Sequence, residues 1–99
     1  MKLKYSHNLI GAEILVFGKV QGVAFRYYTK LKAEELGISG TVKNKADGSV
    51  YIIAYGDTVI INKLIEWCEI GSPSSSVEKV VSEFIETENV DVSGFRILR

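Results

Sequence analysis

Two β-rich runs, I-S-G-T-V-K-N at 38–44 and S-V-Y-I-I-A-Y at 49–55, are separated only by K-A-D-G. Asp47-Gly48 supplies the turn chemistry of a hairpin, so these runs are read as two antiparallel strands. Whatever surrounds them has to fit that pair. Upstream, the β-branched and aromatic run A-E-I-L-V-F-G-K at 12–19 reads as a largely buried first strand. Beyond Gly22 the period turns helical. Phe25, Tyr28, Thr29, Ala33 and Leu36 share one side, with Lys32 laying its aliphatic stem among them, and Gly37 is the expected stop.

Downstream of the hairpin, Asp57 or Thr58 is placed to cap a second helix with Ile60, Ile61, Leu64, Trp67 and Cys68 on one face, closed by Gly71-Ser72-Pro73. The serine-rich stretch 72–76 reads as a connection into a fourth strand at 77–86, and a last short strand is expected at 95–98. The order β-α-β-β-α-β plus a terminal strand specifies a ferredoxin-like α+β sandwich, a mostly antiparallel sheet covered on one face by two helices. Residues 1–11 have no clear period and read as an N-terminal extension to a domain spanning 12–99.

Composition narrows the function classes. With 99 residues and 46% hydrophobic side chains the chain can bury one modest core without metals or disulfides. Its one cysteine, Cys68, reads as a small buried hydrophobe. With no secretory leader evident, a cytoplasmic location is expected. No apolar run approaches the roughly 20 residues of a membrane span. Twelve basic and twelve acidic residues cancel, so the broad positive field used for nucleic acid is missing and anion recognition has to be local. Tyr51 and Tyr55 alternate with Ile53 on one strand face. They read as ordinary strand tyrosines, because the aromatic-glycine-aromatic signature of RNA-binding sheets is absent. His7, the one histidine, is given no function.

The segment richest in chemical meaning is G-K-V-Q-G-V-A-F-R at 18–26, which joins the first strand to the first helical turn. First-turn amides have no intrahelical acceptor, and glycines let the preceding chain curl, so the loop can form a concave anion site. Arg26 fits that reading, because a cation in a first turn opposes the helix dipole unless an anion compensates it. A guanidinium also offers two parallel donors to phosphate oxygens. A plain tight turn with Arg26 in solvent remains the alternative on local physics. Asn44, ending the strand before the hairpin turn, suits either a turn or a catalytic role, and spacing does not decide whether it faces Arg26.

The run at 18–26 resembles the first signature of the acylphosphatases, and G-T-V-K-N-K-A-D-G-S-V-Y-I-I-A-Y-G at 40–56 resembles their second. Leu36-Gly37 and Gly71-Ser72-Pro73 also sit where that family has them. The resemblance implies a metal-independent and cofactor-free hydrolase of small acyl phosphates. Gln21, Gly22, Val23, Ala24, Phe25 and Arg26 would hold the phosphoryl group, and Asn44 would orient the attacking water. A monomer without nucleic-acid or membrane partners is expected, with inorganic phosphate as product and competitive inhibitor. The cradle reads the phosphate and leaves the acyl group loosely specified. Acylphosphatase-like domains also open larger hydrogenase-maturation proteins, which carry zinc-finger cysteines downstream, so the free-standing enzyme is expected here. A non-catalytic anion-binding or regulatory module is the alternative. Thr41 departs from the pattern, since the family commonly has an aromatic residue there, and the missing ring could alter packing beside Asn44 or lower stability by on the order of 1 kcal/mol or more.

Overall fold

In the computed structural model, which describes residues 9–87 and 93–99, the elements are β1 (Ile10–Lys19), α1 (Phe25–Leu36), β2 (Ser39–Asn44), β3 (Val50–Gly56), α2 (Thr58–Ile70), β4 (Ser76–Ile85) and β5 (Phe95–Ile97). The strands form one five-stranded sheet in the order β4-β1-β3-β2-β5. Every pairing is antiparallel except β2 with β5. This is the ferredoxin-like sandwich expected from the element order. The hairpin is closed as the Asp-Gly pair implies. Lys45 N–H donates to Ser49 O at 2.8 Å, and the Asp47 carboxylate accepts from the Ser49 amide at 3.0 Å and its hydroxyl at 2.6 Å.

Because β3 lies between β1 and β2 and is antiparallel to both, β1 and β2 run in the same direction, and β5 follows β2. Rows of small and branched side chains cross the covered face: Ala12 opposite Ala54, Ile14 opposite Ile52, Val16 opposite Val50. All six are buried. Phe25, Thr29 and Ala33 of α1 and Ile61, Leu64 and Cys68 of α2 complete this core. Burial pushes the Cys68 thiol up to about 12, which makes it a poor nucleophile at neutral pH. On the open face Tyr51 donates from its hydroxyl to Glu13 Oε2 at 3.0 Å, with the Lys43 and Lys45 ammonium groups each 5.7 Å from the centre of its ring. Among the described residues no helix is long and apolar enough to cross a membrane.

Several local expectations shift. Ile10 and Gly11 already pair with Gly56 and Tyr55, so β1 opens two residues before the run read from periodicity. Residues 1–8, His7 among them, lie outside the described residues. The first strand is not buried throughout: its residues alternate, and Glu13, Leu15 and Phe17 face the open side half-buried. Asp57 does hold the N-cap position of α2, but its side chain makes no capping bond. β4 closes at Ile85, one residue short of the run ending at 86. Tyr28, read as part of the buried stripe of α1, is exposed and packs edge-on against Tyr27, the ring centres 5.4 Å apart.

Thr41 faces the open side, in register with Ile53 and Arg96. It lines a hollow of about 280 Å³ with Gly40, Ile53, Tyr55, Ser93, Gly94 and Arg96. The missing ring therefore empties the open face and leaves the surroundings of Asn44 untouched. Thr41→Trp should partly fill this hollow and stabilise the fold by about 1 kcal/mol, for ~40 Å² of apolar area newly buried. Thermal denaturation followed by circular dichroism should show a melting temperature several degrees higher.

Candidate functional site

The path from β1 into α1 is set by two unusual turns. At Gly18 the backbone has a φ of +128° and passes so close to β4 that a Cβ would lie 2.2 Å from Ser76 O. Both constraints require glycine. At the far end of the loop Ala24, the N-cap of α1, takes a left-handed conformation with φ 61° and ψ 25°. For a non-glycine residue that conformation costs about 1–2 kcal/mol. Buried Phe25 follows it, with its ring 5.4 Å from that of Trp67. The first intrahelical bond runs from Tyr28 N–H to Ala24 O at 3.1 Å, so the amides of Phe25, Arg26 and Tyr27 have no intrahelical acceptor. No side chain caps this end and no acidic residue stands in the first turn. The end of α1 therefore keeps its full positive dipole.

This helix end opens on a cleft of about 200 Å³ lined by Val20, Gly22, Ala24, Phe25, Arg26, Tyr27, Asn44 and Ile97. Strand direction brings the parts together. The carboxyl ends of β1, β2 and β5 point the same way, delivering the loop, Asn44 and Ile97 to one end of the sheet. Asn44 follows Val42 on the covered side, where the strand alternation places it beside α1 and away from the open face. Arg26 and Asn44, whose proximity spacing left open, share this cleft.

Arg26 is held in place. Its Nη1 donates to Leu98 O at 2.8 Å, while Leu98 N–H donates to Val42 O at 2.8 Å, continuing the β5 pairing. One guanidinium donor is thus committed to the C-terminal strand, leaving a planar fork of others for a ligand. The Gln21 side chain is likewise occupied: its Nε2 donates to Lys45 O at 2.8 Å and Ser49 O at 2.9 Å. Of this residue, the backbone amide is what can serve the cradle. Its carboxamide ties the loop to the hairpin that carries Asn44. The Ser72 hydroxyl donates to Val23 O at 3.2 Å and fixes the loop from the α2 side.

Three features of this bracing lay outside the sequence reading. Leu98 acts through a carbonyl, which no residue type announces, and Ser72 lies 49 positions from its partner. Gln21 was within sight, in the signature run itself, but only the fold shows where its side chain goes. The cleft lining contains no carboxylate, imidazole or thiol among the described residues. Among the described residues no group of three or more His, Cys, Asp or Glu is placed to hold a metal ion. Near the cleft, hydrogen bonds from Ser49 lower the Asp47 carboxyl below its ordinary value, so the turn keeps its carboxylate brace at neutral pH. Chemically the arrangement can bind a compact anion through backbone amides and a guanidinium, and present a neutral amide beside it.

The sequence model of the acylphosphatase family matches residues 12–97. An acylphosphatase from Shewanella amazonensis is 52% identical over 67 residues, covering 68% of this chain and 74% of its own. One from Acaryochloris marina is 41% identical over 92 residues, 93% of this chain and 97% of its own. Among solved structures, an acylphosphatase from Coxiella burnetii superposes with a TM-score of 0.86 at 42% identity, covering 92% of this chain and 94% of that one.

The Gln21 amide joins loop and hairpin by two hydrogen bonds, each worth about 1 kcal/mol. In Gln21→Leu, hydrogen exchange at the Lys45 and Gly48 amides should quicken by on the order of tenfold relative to β1 amides, as followed by NMR.

Proposed function

The chain belongs to the acylphosphatase family, and from that premise we propose that its cleft hydrolyses small acyl phosphates, with Arg26 and the loop amides binding the phosphoryl group and Asn44 orienting the attacking water. The observation that carries this reading is the end of α1, which has no side-chain cap, no first-turn acid and a braced arginine where a dianion would sit. Amides of residues 21–26 and the guanidinium fork face the equatorial oxygens, where charge rests in both ground and transition states.

Water attacks phosphorus in line with the departing acyl oxygen. The new O–P bond forms as the P–O(acyl) bond breaks, a carboxylate leaves, and the water's proton passes to a phosphoryl oxygen of the substrate. A carboxylate is a weakly basic leaving group, so no general acid is required, in keeping with a cleft lined without titratable carboxylate or imidazole. Asn44 contributes by holding the water in the attack line, a proximity effect. No phosphoenzyme intermediate is needed. On this reading inorganic phosphate is both product and competitive inhibitor, and the enzyme works as a cytoplasmic monomer formed by one domain that opens with β1.

Hydrolysis of benzoyl phosphate, followed by loss of ultraviolet absorbance with a chelator present, tests the proposal. Wild type should turn over, and Arg26→Ala should lower kcat/KM by about 10³-fold or more and weaken phosphate inhibition in parallel. Asn44→Ala should lower kcat by about 10²-fold while phosphate inhibition changes little. An unchanged rate in Asn44→Ala removes its water-orienting role. Folded wild type without turnover points instead to a non-catalytic anion-binding module.

A further inference from the structure

We propose that Tyr27 and Ile97 form an acyl-binding wall that makes the enzyme select acyl phosphates with aromatic or bulky apolar acyl groups over acetyl phosphate; this deepens, and rests on, the function proposed above. Beside Gly22, Ala24, Arg26 and Asn44, the lining of the cleft includes Tyr27 and Ile97, two large apolar residues.

Both are large apolar groups left in water, Tyr27 with 54% and Ile97 with 38% of its surface exposed. A single exposed hydrophobe needs no explanation. Two that converge on one cleft from different elements, the first turn of α1 and the last residue of β5, form a surface that a ligand can cover.

Position favours the acyl group as that ligand. Tyr27 and Ile97 line the same cleft as Arg26 and the start of α1, so the substituent of a phosphoryl group seated on the first-turn amides lies within reach of them. The wall is also held ready: Tyr28 packs edge-on against Tyr27, with 76° between the rings, and Ile97 is fixed by its pairing with Val42. Little ordering is left to be done on binding. Among the described residues no lining side chain is acidic and Arg26 is the one cation, so they offer a charged acyl group no partner beyond the phosphate site. At about 200 Å³ the cleft suits a small substrate.

The test compares kcat/KM for benzoyl phosphate and acetyl phosphate in wild type, Tyr27→Ala and Ile97→Thr, with competitive inhibition by inorganic phosphate as the control. Wild type should prefer benzoyl phosphate by about tenfold or more, as expected for covering one ring face. Each variant should lose about tenfold or less on benzoyl phosphate, with acetyl phosphate and phosphate inhibition within about twofold of wild type. Ile97→Thr keeps a β-branched strand residue, so it serves if Tyr27→Ala weakens the helix end. The inference is overturned if both substrates fall together in the variants, or if wild type shows no preference. Hydrolysis of neither substrate by folded wild type overturns the proposed function itself, and the acyl wall with it.

Discussion

The central position of β3 is the constraint from which the site follows. A strand antiparallel to both neighbours makes those neighbours parallel to each other, although neither touches the other. The loop after β1 and the last residue of β2 therefore reach the same end of the sheet. β5, parallel to β2, brings a third carboxyl end beside them. Open α/β sheets place ligands beyond the carboxyl ends of parallel strands. Here a mostly antiparallel sheet reaches the same geometry by interleaving its strands, and α1 starts where those ends meet.

Convergence alone does not make a precise anion site, because a loop of backbone amides is only as rigid as its anchors. This loop is held on all sides. Gln21 ties it to the hairpin, Ser72 to the end of α2, and Phe25 to the core against Trp67. Arg26 would otherwise be repelled by the dipole of its own helix. The Leu98 carbonyl takes one of its donors and so sets the plane of the fork. The left-handed Ala24 is tolerated within this frame. Such strain at a ligand site persists only when the surroundings over-determine it, and the four anchors supply that. Preorganised donors spend no reorganisation at the moment of reaction.

Much of this was legible in the sequence because it is local. The Asp47-Gly48 turn, the helical periods ending at Gly37 and Gly71, and the loop leading to Arg26 are all specified by neighbours along the chain. The edges were harder to read. Ile10 and Gly11 look like part of a periodless extension, and their place in β1 comes from pairing with residues near 55. A capping residue at 57 was recognisable, yet the carboxylate makes no capping bond. For Thr41 the sequence leaves open whether its missing ring affects the packing beside Asn44 or the stability of the fold. An odd separation along a strand puts two side chains on opposite faces, which is why the ring it lacks empties the open face and leaves the cleft intact. The side-chain target of Gln21 and the carbonyl of Leu98 leave no sequence trace, since acceptors on the backbone carry no residue identity.

Electrical neutrality favours the local anion recognition proposed for this cleft. With twelve charges of each sign there is no net positive charge to gather anions, so the proposed selectivity has to rest on groups within contact distance. Uncapped amides and one oriented guanidinium can bind a compact anion. They do not require acidic or imidazole groups whose titration would tie binding to pH. The Asp47 carboxyl, in the turn that follows Asn44, is shifted downward by hydrogen bonds from Ser49. Its contribution to the hairpin is therefore complete above the ordinary carboxylate range and is lost only as pH falls through its lower folded value. The turn that carries Asn44 thus keeps its shape throughout the neutral range. Chemistry that depends on placement more than on proton transfer calls for that constancy.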